Sequence, residues 1–144
     1  MVDQVRVLVV GVGSIGERHV RCFQSTDRAL VSIVEPSDSR RQAVAEQYSP
    51  EASHKSLDEA LEITPHHDLG VICTPANQHV PIAERLARSG VDILIEKPLS
   101  TSLQDVDRLR ATVTEEKRVA GVAYVYRHHP ALAEMRAALQ RGQF

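Results

Sequence analysis

Three glycines follow an apolar stretch near the start of the chain with the spacing G-x-G-x-x-G. They are Gly11, Gly13 and Gly16, and residues 7–10 before them are all apolar. Between a strand and a helix, such a turn is typical of dinucleotide binding, because the first glycine permits the turn, the second admits a pyrophosphate and the third lets the helix pack closely. The phosphates would face the N-terminus of that helix, which favours anions. A purely structural glycine turn is the alternative.

An acidic residue lies where a ribose would be bound. Glu35 comes 24 residues after Gly11, at the end of the second predicted strand. A carboxylate there accepts hydrogen bonds from ribose hydroxyls and repels a 2'-phosphate, which favours NAD over NADP. Arg40 and Arg41 are close enough in sequence to accommodate that phosphate, so NADP remains an alternative. Glu35 as an ordinary solvated acid is the simpler explanation.

Polar residues also follow the fourth and fifth predicted strands, at 74–79 and 96–98. Ligands of open parallel sheets bind outside the carboxyl ends of the strands, so these two clusters and the glycine turn are predicted to line one crevice. Taken singly, each cluster has a simpler explanation. His79 could simply be the first residue of a helix, and Glu96 and Lys97 could form a surface ion pair.

Composition limits the functional classes. The chain has 144 residues, a net charge of -2 and dispersed basic residues, which argues against nucleic acid and anionic membranes. Its start lacks the features of a signal peptide, and no stretch has the 18 apolar residues of a membrane helix, so a cytoplasmic location is predicted. Cys22 and Cys73 are predicted to be buried free thiols. The pairs His66-His67 and His128-His129 are not expected to bind metal.

Strand and helix signals alternate along the whole chain. Strands are predicted at 4–10, 29–35, 52–55, 68–74, 91–95 and 119–126, and helices at 15–26, 41–48, 79–89, 106–113 and after Pro130. Ser37 or Ser39 is predicted to cap the second helix. Ser56 with Glu59, and Thr101 with Gln104, match capping boxes that open two more helical segments. This order predicts an α/β fold with a doubly wound parallel sheet, a Rossmann fold, as a single domain over residues 1–144.

Four motifs in this order resemble the glucose-fructose oxidoreductase / inositol dehydrogenase family (Gfo/Idh/MocA). They are the glycine turn with His19, Thr74-Pro75-x-x-x-His79, Glu96-Lys97-Pro98, and Tyr126-Arg127-His128-His129-Pro130. The resemblance covers essentially the whole chain. It implies an NAD(P)-dependent dehydrogenase that acts on a sugar, a polyol or a nucleotide sugar.

The resemblance also implies a role for individual residues. The backbone at Gly13, Ser14 and Ile15 would bind the pyrophosphate, and Glu35 and Arg40 would surround the adenosine ribose. Thr74, Pro75 and His79 would line the cofactor crevice, Glu96 would lie by the nicotinamide ribose and Arg127 near the nicotinamide. Lys97 would be the catalytic lysine, and its bond to Pro98 is often cis in the family. His19 is interpreted as structural, packing or hydrogen-bonding near the neighbouring strand ends.

A catalytic lysine fits the chemistry, because oxidising an alcohol by hydride transfer requires the hydroxyl proton to leave. A lysine with an ordinary pKa near 10.4 is a poor base at pH 7, although desolvation lowers that pKa by units. Without burial, it still orients the substrate oxygen and stabilises negative charge. The sequence leaves Lys97 open as base or as electrostatic helper.

The chain departs from the family pattern by ending where a second, α+β domain is expected to begin. That domain supplies most of the substrate pocket in the family. The 144 residues are therefore predicted to bind a dinucleotide and to turn over sugars poorly or not at all. A stand-alone, non-catalytic nucleotide-binding or assembly module is the alternative. The substrate stays open, and a homo-oligomer is compatible with the sequence.

Overall fold

One parallel sheet organises the part of the chain that the computed structural model describes, residues 4–64 and 66–143. Its strands in chain order are β1 Val5–Val10, β2 Ala29–Val34, β3 Ser53–His54, β4 Leu69–Ile72, β5 Asp92–Ile95 and β6 Ala120–Val122. Their order across the sheet is β3-β2-β1-β4-β5-β6, and every pairing is parallel. From β1 to β3 successive strands are added towards one edge of the sheet, and from β4 to β6 towards the other, so the strand order reverses between β1 and β4. The predicted Rossmann fold is confirmed.

Helices connect the strands. They are α1 Ser14–Gln24, α2 Asp38–Tyr48, α3 Leu57–Ile63, α4 His79–Arg88, α5 Val106–Glu115 and α6 Pro130–Gln140. Short 3-10 helices precede α4 and α6, at Ala76–Gln78 and Val125–His128. No helix in the described ranges combines the length and apolar composition needed to cross a membrane.

Alternating side chains of β1 enter two aliphatic cores. Val7 and Val9 pack on the side that also contains Val20 of α1 and Val44 of α2. Leu8 and Val10 pack on the opposite side, with buried residues of α3, α4 and α5: Ala60, Val80, Ala83, Leu86, Ala87 and Leu109. Because both faces of the sheet are covered, the central strands are apolar throughout and end in the polar turns that carry the candidate site.

Two predicted helix starts are confirmed. The hydroxyl of Ser37 accepts from the N–H of Arg40 at 3.5 Å. Ser56 caps α3 by accepting from the N–H of Glu59 at 3.2 Å, while the Glu59 carboxylate accepts from the N–H of Lys55, one residue before the expected partner. These caps satisfy N–H groups that have no acceptor within the helix.

The prediction of a strand over 119–126 was too long. β6 ends at Val122. The last hydrogen bond between this segment and the sheet runs from the N–H of Ala123 to the carbonyl of Ile95. Because β5 ends at Ile95, the next residues have no strand to pair with. The N–H of Tyr124 turns back to the carbonyl of Val122 and a 3-10 helix follows.

Two further predictions were wrong. Thr101 and Gln104 do not form a capping box, because α5 begins at Val106 after Asp105, and the N–H of Gln104 donates to Ser102 instead. Cys22 is exposed, because it lies on the outer side of α1, whereas Cys73 is mostly buried; both are free thiols.

Candidate cofactor and active site

The turn between β1 and α1 has the geometry that its glycines predict. Gly11 has a φ of +86°, and its N–H donates to the carbonyl of Val34 at 2.8 Å. A Cβ at Gly16 would clash with the carbonyl oxygen of Gly11, so the helix packs directly on the turn. A Cβ at Gly13 would meet nothing within 4 Å, which leaves an open approach to the backbone. The turn therefore leaves space for a pyrophosphate at Gly13 and none at Gly16.

Helix α1 begins directly at this turn. Gly13 is its N-cap and supplies no side-chain acceptor, and the first bond within the helix runs from the N–H of Glu17 to the carbonyl of Gly13. The N–H groups of Ser14, Ile15 and Gly16 consequently have no acceptor within the helix. Together with the positive end of the helix dipole, they suit an anionic ligand.

A groove of about 470 Å³ runs along this helix start. It brings together residues from the ends of β1, β2 and β4, namely Gly11, Gly13, Ser14, Ile15, Glu35, Pro36, Arg40, Cys73, Thr74, Pro75 and Gln78. Its wall contains the hydroxyl oxygen of Thr74, which is buried and has no hydrogen-bond partner among the described residues. A groove at the start of a helix whose first N–H groups have no acceptor within the helix fits the pyrophosphate of a dinucleotide.

Glu35 is buried, with 5% of its surface exposed, and its carboxylate already serves three donors. One oxygen accepts from the N–H of Val12 at 3.1 Å, and the other from the N–H of Ser37 at 3.0 Å and the guanidinium of Arg40 at 3.2 Å. A carboxylate offers about four lone-pair sites, so a further donor such as a ribose hydroxyl can still be accepted. Glu35 therefore fixes the glycine turn as well as lining the groove.

The two neighbouring arginines differ. Arg41 is held by the carbonyl of Glu35 at 2.8 Å and by the carboxylate of Asp38. Arg40 lines the groove, and about half of its side chain (54%) stays exposed while it pairs with Glu35. Only Arg40 is thus placed to meet an additional phosphate in this groove.

His79 lies behind the groove wall and is almost fully buried. Its Nε2 is 2.8 Å from the carbonyl oxygen of Thr74, and its Nδ1 is 2.9 Å from the carbonyl oxygen of Pro98. The ring therefore lies between the loop after β4 and the turn after β5. Because only 1% of its surface is exposed, His79 can influence the groove only through these backbone contacts.

The turn at residues 96–98 follows β5. Glu96 is buried, and its carboxylate contacts Nε2 of His19 at 2.8 Å and the N–H of Lys97 at 3.2 Å. The bond between Lys97 and Pro98 is cis, as the resemblance implies. Lys97 itself is exposed. The structure thus connects His19 of α1 to the turn that carries the candidate catalytic lysine.

Lys97 lines a second cleft, of about 390 Å³, after the end of β5, the strand beside β4 in the sheet. Its other lining residues follow β6: Ala123, Tyr124, Val125, Tyr126 and Arg127. Lys97 and Arg127 therefore line the same cleft, and the residues of the glycine turn do not line it. Neighbouring strand ends thus present an anion-binding groove and a lysine-bearing cleft.

Burial raises the pKa of the Cys73 thiol to about 12, and the negative charge of Glu96 adds to the effect. The thiol is therefore a neutral, unreactive part of the groove wall at pH 7.

Sequence reasoning did not single out several residues of this region. Gln78, Pro36 and Cys73 line the groove, and Val12 supplies the N–H that holds Glu35. Gln78 directly precedes His79 within a motif that the sequence did indicate, so its position was a usable signal. The bond between His19 and Glu96 joins residues 77 positions apart, and no local pattern predicts it.

Comparison with known proteins agrees with this geometry. Residues 5–124 match the model of an oxidoreductase family with an NAD-binding Rossmann fold, GFO_IDH_MocA. The inositol 2-dehydrogenase of Rhizobium meliloti is 30% identical over 140 residues, which are 96% of this chain and 42% of that enzyme. The UDP-N-acetylglucosamine 3-dehydrogenase of Acidithiobacillus ferrooxidans is 29% identical over 134 residues, 93% of this chain and 41% of the relative.

A solved structure gives the same picture. The WlbA dehydrogenase from Bordetella pertussis, in complex with NADH and UDP-GlcNAcA, superposes with a TM-score of 0.88 at 26% identity, covering 98% of this chain and 44% of that one. The chain spans about two fifths of the length of these relatives. The glycine turn, the groove and the match over residues 5–124 lead to one conclusion: the chain belongs to the Gfo/Idh/MocA oxidoreductase family and contains its NAD-binding Rossmann domain.

Proposed function

We propose that this chain is the cofactor-binding part of an NAD-dependent dehydrogenase that oxidises a hydroxyl group of a polyol or nucleotide sugar. The observation that carries the proposal is that the groove at the start of α1 and the cleft at Lys97 follow the carboxyl ends of neighbouring strands, β4 for the groove and β5 for the cleft. A dinucleotide in the groove would extend from Glu35, at the end of β2, past the glycine turn towards the ends of β4 and β5. Its reactive end would then lie beside Lys97.

The adenosine half would be bound by residues near β2. Glu35 would accept from the ribose hydroxyls, and Arg40 would lie beside them. The backbone at Gly13, Ser14 and Ile15 would hold the pyrophosphate, with Gly11 and Gly16 shaping the turn. The charge of Glu35 supports NAD over NADP, because a 2'-phosphate beside a carboxylate is repelled.

The nicotinamide half would be held by residues that follow β4, β5 and β6. Thr74 and Pro75 would line its path, with His79 supporting them from behind. Glu96 would lie near the second ribose and Arg127 near the nicotinamide ring. When bound, NAD supplies the hydride acceptor.

Lys97 would act at the reacting hydroxyl through its Nζ. As an exposed ammonium it can donate a hydrogen bond to the substrate oxygen and stabilise negative charge there as the proton leaves. Service as a base requires desolvation, which a cover over the cleft would provide. Because the cleft is open in this chain, the 144 residues alone are expected to turn over substrate poorly or not at all.

Binding and turnover test the proposal separately. We expect calorimetric titration of the chain to show NADH binding well below about 1 mM, with NADPH weaker, because the groove carries Glu35 at its ribose end. Absence of NADH binding in that range would overturn the cofactor assignment. Robust NAD-dependent oxidation of myo-inositol or a UDP-sugar by this chain alone would overturn the expectation that it turns over substrate poorly by itself.

A further inference from the structure

The turn at residues 96–98 is held by a histidine at each end. Glu96 contacts His19 of α1 through its carboxylate, and the carbonyl oxygen of Pro98 lies 2.9 Å from Nδ1 of His79 of α4. Lys97 lies between these two contacts. Lys97 is exposed, and the hydrogen bond by which it contacts Glu96 uses its backbone N–H. Its position therefore depends on the backbone of the turn.

Each histidine also connects the turn to the cofactor groove. His19 lies on the helix whose first N–H groups face the groove, one turn after Gly16. His79 contacts the carbonyl of Thr74, a residue of the groove wall, at 2.8 Å. A shift of the turn relative to the groove would break one of these contacts.

We propose that His19 and His79 are positioning residues that fix the 96–98 turn, and with it Lys97, against the nicotinamide half of the bound cofactor. The inference rests on the proposed function, which places that half over the ends of β4 and β5. The adenosine half would lie on the other side of the glycine turn, next to β2, which neighbours β1 opposite to β4. Loss of either histidine should therefore affect the nicotinamide half selectively.

The two histidines hold the turn by different chemistry. His19 donates to a carboxylate, a bond stronger than one between neutral groups. His79 faces two carbonyl oxygens, and a neutral imidazole has one N–H to donate, whereas an imidazolium has two. Asparagine at position 79 places a donor near the Nδ1 site, towards Pro98, and glutamine places one near the Nε2 site, towards Thr74.

The test compares NADH with ADP, which lacks the nicotinamide half. For His19→Leu we expect the ratio of NADH to ADP affinity to fall about tenfold, because a hydrogen bond to a charged group is lost. His19→Gln retains a donor for Glu96 and should keep the ratio within about threefold of the original. His79→Asn should keep more of the ratio than His79→Gln. Asparagine retains a donor for the carbonyl of Pro98, which belongs to the turn, whereas glutamine retains one for Thr74, which does not.

A second measurement needs no cofactor. In NMR spectra of the apo chain, the backbone amide signals of Lys97 and Leu99 should shift or broaden in His19→Leu and recover in His19→Gln. Equal weakening of NADH and ADP, or no difference between the two His19 variants, overturns the inference. If the buried position 79 does not tolerate substitution, the His19 pair decides. A wild-type chain that binds no NADH contradicts the proposed function, and the apo amide signals still decide whether the histidines hold the turn.

Discussion

Glu35 has a structural role in the fold and, under the proposed function, would also recognise the ribose of the cofactor. Its oxygens accept from the backbone of Val12 in the glycine turn and from Ser37 at the start of α2, so it connects β1 to α2. It also holds Arg40 at 3.2 Å by an ion pair. While this pair exists, the guanidinium is partly neutralised and a 2'-phosphate would meet a carboxylate.

Substitution of Glu35 is expected to change cofactor preference. In Glu35→Ser, the ratio of NADPH to NADH affinity should rise at least about tenfold, because the repelling charge is gone and Arg40 is free to bind phosphate. NADH affinity should fall in the same variant. Calorimetric titration with both cofactors measures the ratio. Adding Arg40→Ala should abolish the gain, and an unchanged ratio in the single variant would contradict the role given to Glu35.

The two cysteines should differ strongly in reactivity. Cys22 is exposed, whereas Cys73 is mostly buried with a pKa raised to about 12. Because only the thiolate reacts, iodoacetamide near pH 8 should modify Cys73 more than about 100-fold more slowly than Cys22. Mass spectrometry of peptides over a time course measures both rates. The Cys22→Ser variant retains only Cys73 and should therefore show almost no fast labelling. Fast labelling of this variant would show that Cys73 is accessible.

The β1–α1 turn is the element that the rest of the site depends on. Its glycines have different neighbours, since a Cβ at Gly16 would clash with backbone at Gly11 and a Cβ at Gly13 would enter open space. Gly13 has a φ of -65°, which any residue adopts. The structure therefore predicts that Gly16 is required for folding, and the proposed function predicts that Gly13 is required for binding.

Alanine at these two positions forms a matched pair. Gly16→Ala should lower the free energy of unfolding by more than about 2 kcal/mol, because the clash is with backbone that cannot rotate away. Gly13→Ala should leave the unfolding free energy nearly unchanged and weaken NADH binding, since its methyl group fills the approach of the pyrophosphate. Urea denaturation and NADH titration measure the two effects. Similar stability losses in both variants would contradict this division.

The sequence predicted elements well where local chemistry decides them. Apolar runs ending in glycine or proline located β1 and β4, and the serines at 37 and 56 located two helix starts. The end of β6 was not predictable, because it depends on where the neighbouring strand β5 stops. The asymmetry between Cys22 and Cys73 depends on which side of an element faces the core.

The site shows the same division. The positions of the glycine turn, Glu35 and the 96–98 turn at strand ends were predictable, because spacing and the ends of apolar runs are local properties. The contact between His19 and Glu96, and the contact between His79 and Pro98, were not predictable from spacing. Both join elements that only the folded sheet brings together.

At the scale of the whole molecule, folding buries two histidines that do not line the groove. His54 and His67 are 3% and 4% exposed, and in each the Nε2 has no hydrogen-bond partner within the described residues. Burial lowers the pKa of His67 below its ordinary value of 6.5, and His54 contributes in the same direction. The folded chain therefore holds His67 neutral under conditions in which the unfolded chain binds a proton.

This proton linkage predicts that acid destabilises the fold. Because the folded pKa of His67 is lowered, its contribution is fully present above the unfolded pKa of about 6.5 and is lost as the pH falls from there through the folded pKa, at up to about 1.4 kcal/mol per pH unit. Urea denaturation at a series of pH values between about 7.5 and 5 measures the slope. His67→Gln should flatten it, whereas His66→Gln, at the exposed neighbouring position, should not. Of these two neighbours only His67 is buried, so equal slopes in the two variants would show that other groups control the acid response.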